Sequence, residues 1–228
     1  MYTALHWAVI RGQEKICELL LSKMSKETIN AVDKNGYKAL HYAARNGHEK
    51  ICELLIKENP KFLDDVDKNG NTALHLAPKT YFNNIQICKL LIEKVPQLID
   101  MKNKDGSTPL HLAAGWPWMN QNLEICKSLI DKKPDLINAV DNRGLTALHY
   151  ATISGQEKIC ELIIKEYPQL IDVIDNNGKI ALDTAKSVKS HEIIKLITTK
   201  LTQIQQEKLL CHSRSGLPAW INFSSVIP

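Results

Sequence analysis

Apolar positions recur along this chain in a fixed phrase. Hexamers read TALHWA from Thr3, KALHYA from Lys38, TALHLA from Thr72, TPLHLA from Thr108, TALHYA from Thr146 and IALDTA from Ile180, with starts 35, 34, 36, 38 and 34 residues apart. A second phrase falls between them: EKICELLL from Glu14, EKICELLI from Glu49, IQICKLLI from Ile85, LEICKSLI from Leu123 and EKICELII from Glu157. Apolar residues at helical spacing on one face, with Glu and Lys on the other, predict a short helix, a turn and a second helix in every unit. Neither helix can bury its face alone, so the units must stack.

Each helix pair is preceded by turn-forming residues. Asp33-Lys34-Asn35-Gly36, Asp67-Lys68-Asn69-Gly70, Asp141-Asn142-Arg143-Gly144 and Asp175-Asn176-Asn177-Gly178 fit tight turns, because Asx side chains bond nearby backbone and glycine accepts positive φ. Asn103 stands where the other turns carry aspartate, a mild change because asparagine also suits turns.

This succession of a D-x-x-G turn, a T-P-L-H helix start and an apolar second helix resembles the ankyrin-repeat family over roughly residues 1–201. The resemblance implies an all-α ankyrin-repeat solenoid of stacked helix-turn-helix units with projecting turn or hairpin fingers. The units expected are 1–32, 33–66, 67–102, 103–140, 141–174 and 175–201, followed by a helix extension and loose tail over 202–228. The family's usual G-A-D-V-N close is replaced by Pro60-Lys61-Phe62-Leu63-Asp64, Pro96-Gln97-Leu98-Ile99-Asp100, Pro134-Asp135-Leu136-Ile137-Asn138 and Pro168-Gln169-Leu170-Ile171-Asp172. Proline still stops the helix, so only the loop geometry departs from the pattern.

Both ends deviate. The first unit starts at Met1-Tyr2-Thr3 without a preceding D-x-x-G, which reads either as an unusual cap or as a cut from a longer array, the second being favoured. The last unit has Asp183 in place of histidine. Its second helix, from His191 to about Leu210, carries Ile193, Ile194, Leu196, Ile197, Leu201 and Ile204 on an apolar face and is expected to cap the core. Beyond it, CHSRSGLPAWINFSSVIP has no repeat pattern and contains Ser, Gly and Pro breakers.

At 44% hydrophobic and 24% charged, 228 residues can bury a substantial core, and no apolar run reaches the roughly eighteen residues of a membrane span. The start lacks the basic and apolar regions of a secretory signal. A net charge of +4 spread over lysines that alternate with glutamates describes a solvated face, not a nucleic-acid stripe. Lysine makes up 25 of the 29 basic residues, a weak compositional hint of an AT-rich genome such as that of an intracellular bacterium or a protist. A cytoplasmic location is expected, inside a host cell if the source is such a bacterium.

Two ladders could be mistaken for chemistry. His6, His41, His75, His111 and His149 share one repeat position, and Cys17, Cys52, Cys88, Cys126 and Cys160 share another. Stacked helices lie about 8–10 Å apart, whereas metal ligands converge to about 2 Å from one ion and disulfide Cα atoms to within about 7 Å. The ladders therefore predict no metal, no disulfides and no cofactor. In the family, the histidine of T-x-L-H bonds backbone and the neighbouring repeat. The cysteines sit beside isoleucines at apolar positions as small reduced hydrophobes, and Cys211 alone is expected to expose its thiol. No G-x-S-x-G, glycine-rich phosphate loop or H-E-x-x-H occurs, so no catalysis is expected.

What remains unexplained by the core is length. From hexamer start to repeated cysteine the separation is 14 residues in the first, second and fifth units, but 16 in the third and 18 in the fourth. The extra residues fall between the helices, and in the fourth unit they hold Trp116-Pro117-Trp118-Met119. Two readings stand: the tryptophans cover the edge of the solenoid, or they anchor a partner, and the second is favoured because rigid rings bury large area at low entropy cost. Ankyrin proteins bind through finger tips and the concave inner helices. Carried onto this chain, that implies Lys34, Asn35, Tyr37, Arg45, Asn46, Lys68, Asn69, Asn71, Trp116, Trp118, Arg143, Leu145, Ile153 and Ser154. The expected function is a monomeric, non-enzymatic module that binds another protein. The alternatives are a targeting domain of a larger enzyme or secreted effector, and a purely structural spacer.

Overall fold

A computed structural model describes residues 2–58, 65–79, 84–116 and 122–214. Among these residues the regular structure is helical, and no helix is long and apolar enough to cross a membrane. The first helices of successive units are α1 (Ala4–Ile10), α4 (Ala39–Asn46), α6 (Ala73–Leu76), α8 (Pro109–Gly115), α10 (Ala147–Ile153) and α12 (Ala181–Ser187). The second helices are α2 (Glu14–Lys23), α5 (Glu49–Glu58), α7 (Asn84–Lys94), α9 (Asn122–Lys132), α11 (Glu157–Glu166) and α13 (His191–Arg214), with a single-turn α3 (Lys26–Ile29) after α2. Each first helix packs on the next first helix and each second helix on the next second helix, giving two layers with the core between them.

The T-x-L-H phrase explains why the first helices start where they do. Thr3, Thr72, Thr108 and Thr146 stand at the N-cap in extended conformation, and the histidine three residues on returns its ring to the cap. Backbone N–H groups of Thr3, Lys38, Thr72, Thr108 and Thr146 donate to Nδ1 of His6, His41, His75, His111 and His149 at 3.1–3.3 Å. Nδ1 is therefore unprotonated, and Nε2 carries the proton. Each Nε2–H donates to a carbonyl of the following unit: His6 to Tyr37 at 3.1 Å, His41 to Asn71 at 3.2 Å, His75 to Ser107 and His111 to Leu145 at 3.0 Å, and His149 to Lys179 at 3.3 Å. Asp183 performs only the first half of this role, accepting from the Ile180 N–H at 3.3 Å.

The fingers are held the same way in every unit. One carboxylate oxygen of Asp33, Asp67, Asp141 or Asp175 accepts from the N–H groups two and four residues later, and Asn103 does so through its amide oxygen. Adjacent fingers are then bonded to one another: Lys68 N–H to Asn35 O, Lys104 to Asn69, Asn142 to Asp105 and Asn176 to Arg143, each at 2.9 Å. Gly70 shows why glycine closes the turn. Its φ is +77°, and a Cβ there would lie 2.8 Å from the backbone nitrogen of Lys104 in the next finger.

The proline-led closes begin short 3-10 turns at Pro96–Leu98, Pro134–Asn138 and Pro168–Asp172, where proline needs no N–H and buries the leucine and isoleucine that follow it. The close at Pro60 lies outside the described residues. α13 runs to Arg214, four residues beyond the expected end at Leu210. Residues 215–228 are also outside the described set.

Candidate functional site

The two ladders are absorbed by the stack. Both ring nitrogens of each ladder histidine are engaged, and burial, partly opposed by the carbonyl bonds, lowers all five pKa values, those of His75 and His111 to about 4. The ladder cysteines are buried and unpaired. Burial pushes the Cys17 thiol up to about 11, Cys126 and Cys160 to about 12, and Cys52 and Cys88 up further. A thiol held protonated is a poor nucleophile and a poor metal ligand. Among the described residues no three His, Cys, Asp or Glu side chains are grouped as a metal site would require.

The surface offered by the first-helix layer and the fingers is more varied. Lys34, Asn35, Lys68 and Asn69 are exposed at the finger tips, and Ile153 is exposed at the end of α10. Asn71 and Leu145, expected on this surface, are buried at 7% and 6% exposure, which corrects that expectation. Asn71 is turned inward because its amide donates to Asp67 at 3.1 Å and accepts from Asn103 at 3.0 Å. Leu145 follows from an apolar side chain at a finger base.

Arg143 is exposed but tied down, reaching Asp141 and the Tyr150 hydroxyl, each at 3.1 Å. Ser154 is half-buried and donates to Gly115 O at 2.5 Å. Trp116 is also half-buried: its carbonyl accepts from Asn122 at 3.2 Å and Gln156 at 2.5 Å, and the Lys79 ammonium lies 5.6 Å over its ring. Trp118 lies outside the described residues, as does the side chain of Cys211.

The most concentrated feature was not foreseen. Tyr2, Trp7, Ile10, Tyr42, Arg45 and Asn46 line a recess of about 320 Å3 across α1 and α4. Tyr2 stands 5.1 Å from the Trp7 ring and 5.9 Å from Tyr42, and Tyr37 stands 5.1 Å from Tyr42. The cluster is positioned from below. The Tyr42 hydroxyl donates to buried Asp33 at 2.8 Å and sits 3.2 Å from the Tyr2 hydroxyl. Burial alone would raise the Asp33 carboxyl, but Tyr42 and the N–H groups of Tyr37 and Asn35 outweigh it and hold that carboxyl below its ordinary range. Arg45 lies 5.9 Å over the Tyr37 ring, and Asn46 donates to Ile10 O at 3.4 Å.

Tyr150 repeats the arrangement three units along, bonding Asp141 at 2.9 Å, but there Ser107 and Arg143 close over its hydroxyl. Only the first copy leaves large rings open, with Trp7 50% and Tyr2 39% exposed. The signal was present in the hexamers, which place Trp7 and Tyr42 directly after the repeated histidine.

The family described as "Ankyrin repeats (3 copies)" matches residues 1–64, 59–136, 80–173 and 118–208, together nearly the whole chain. The protein belongs to the ankyrin-repeat family. An ankyrin repeat protein of Rickettsia felis is 59% identical over 34 residues, 15% of this chain, which spans only 11% of that relative's length. A chain from the complex of a Bdellovibrio bacteriovorus predatory endopeptidase with an immunity protein superposes with a TM-score of 0.72 at 25% identity, over 87% of this chain and 98% of the other. An ankyrin repeat domain from Acinetobacter baumannii superposes at 0.63 with 23% identity, over 86% and 96% of the two chains. Ankyrin repeats generally mediate protein–protein interaction.

Proposed function

We propose that this ankyrin-repeat chain is a protein-binding module that holds its partner on the first-helix layer and finger tips, with the Tyr2–Trp7–Tyr42 recess as its main anchor and Trp116 as a second. The observation that carries this reading is the open aromatic cluster. Two large rings stand 39% and 50% exposed at a place where the stack has already satisfied the buried groups beneath them. Rigid rings that are exposed before binding lose little entropy when covered, which is what makes aromatic residues frequent interface anchors.

The finger-to-finger bonds add stiffness to the surface, so a partner meets a shape already formed. The likeness to a chain from an endopeptidase–immunity protein complex supports a role in protein assembly. Engaged histidine nitrogens and protonated thiols supply no poised base or nucleophile among the ladder residues. A photo-crosslinking residue placed at position 7 in the organism that carries the protein should capture a partner protein, while the same residue at Lys127, on the outer face of α9, should not. Capture from position 127 alone would overturn the proposal.

A further inference from the structure

We propose that the partner segment is acidic and aromatic: a large side chain enters the recess between Tyr2, Trp7 and Tyr42, and neighbouring carboxylates lie over Arg45 and Lys79. This rests on the binding-module reading and names the chemistry of what is bound. A recess of about 320 Å3 lies at the lower end of the roughly 300–1,000 Å3 of ligand pockets. That suits one bulky side chain on an aromatic floor.

Among the residues that line the recess the charged one is Arg45. Arg45 occupies the position four residues after His41, and Lys79 the same position after His75, so Lys79 stands on the first-layer segment that follows the one carrying Arg45. Neither forms an ion pair among the described residues. Asp67 and Asp105 stand close enough to Lys79 to act on its charge, and Asp33 lies beneath Tyr42. Asp33 and Asp67 are buried and each accepts two backbone N–H groups, and Asp105 lies at a finger tip beside Lys104. A basic ligand would meet repulsion from Arg45 and Lys79, only part of which Asp67 and Asp105 offset at Lys79, whereas an acidic one would gain charge-assisted contacts.

The strip has a second aromatic end. Lys79 lies over Trp116, so the order along the layer is recess, Arg45, Lys79, Trp116. Successive first-layer helices are about 8–10 Å apart, making a strip of about 30 Å, the length of roughly nine extended residues. A linear segment is therefore long enough to span both aromatic groups.

A phage-displayed library of random twelve-residue peptides, selected on the intact chain, tests this. Enriched sequences should carry Trp, Phe or Tyr flanked by Asp or Glu. Synthetic versions should bind Trp7→Ala and Arg45→Glu at least tenfold more weakly by fluorescence anisotropy, and Lys127→Glu equally well. Trp7→Ala and Arg45→Glu must both melt with the parent for their losses to count, and Arg45, an exposed cation, supplies the readout of charge. Basic or uncharged consensus sequences, binding that ignores Arg45→Glu, or no enrichment would each overturn the inference. A partner crosslinked at position 7 through a neutral or basic segment would sink it too, while leaving the binding-module proposal standing.

Discussion

Acid should loosen this protein through its histidine ladder. His75 and His111 are folded with pKa values of about 4, against an ordinary 6.5, because burial disfavours the imidazolium more than their carbonyl partners favour it. The folded state therefore keeps both rings neutral where the unfolded chain protonates them. Unfolding takes up protons between about pH 6.5 and 4, so their contribution is complete above 6.5 and is lost as the pH falls through that window. Each pH unit within it costs about 1.4 kcal/mol per histidine, so at pH 5 each ring should have withdrawn about 2 kcal/mol. Two rings make about 4 kcal/mol, a large part of a typical 5–15 kcal/mol stability. His6, His41 and His149 shift in the same direction and add to the loss. Urea unfolding followed by circular dichroism at pH 7, 6 and 5 and constant ionic strength measures it. His75→Gln should be less stable at pH 7 yet lose about 2 kcal/mol less between pH 7 and 5. Parent stability at pH 5 within 1 kcal/mol of that at pH 7, or an unchanged slope in the variant, would refute the argument.

Gly70→Ala should cost about 2 kcal/mol or more, read as a lowered urea midpoint, because it forces a side chain into a positive-φ turn and against the next finger; an unchanged midpoint would refute the role of that contact. Cys17, Cys52, Cys88, Cys126 and Cys160 should resist a bulky thiol reagent until the chain unfolds, and rapid native reaction of more than two thiols would contradict their burial. Replacing Trp116 and Trp118 together with alanine should weaken partner capture by about 2 kcal/mol or more with little change in melting. Unchanged capture with a clear loss of stability would make them a cover for the edge of the stack.

Residues that do the same job in every unit were legible from the chain. The Thr–His cap, the finger aspartate and the isoleucine–cysteine pair recur because each unit must solve the same stacking problem, and repetition displays the solution. Contacts that depend on what a neighbour happens to carry were not. Nothing in the spacing reveals that Asn71 pairs with Asn103, or that Leu145 turns inward where Tyr37 stays half-exposed. The length of α13 was readable in principle. Where inner units place a proline after the second helix, this one has none, and glycine and proline reappear only at Gly216 and Pro218. Trp7 looked like any residue following the repeated histidine. Its 50% exposure depends on what packs around α1, which the hexamer does not display.

The aromatic cluster links the recess to stability. Ile16 is 44% exposed although its counterparts Ile51, Ile87, Ile125 and Ile159 are at most 1% exposed, so α2 buries less apolar surface at this position than the second helices that follow it. In a stack held by nearest-neighbour contacts, such a unit opens at lower free-energy cost than the middle ones. Part of the deficit is made up by the aromatic cluster itself, since Trp7 leans on Tyr2, Tyr2 leans on Tyr42 and Tyr42 is fixed to Asp33. The rings that would grip a partner are thus the rings that hold α1 to α4. A ligand bound only by the closed cluster stabilises that unit by mass action, about 2.7 kcal/mol at one hundred times its dissociation constant. Binding at the recess should therefore slow amide exchange in α1 and α2 most, and in α9 to α12 least. Uniform slowing along the chain would place the contact elsewhere.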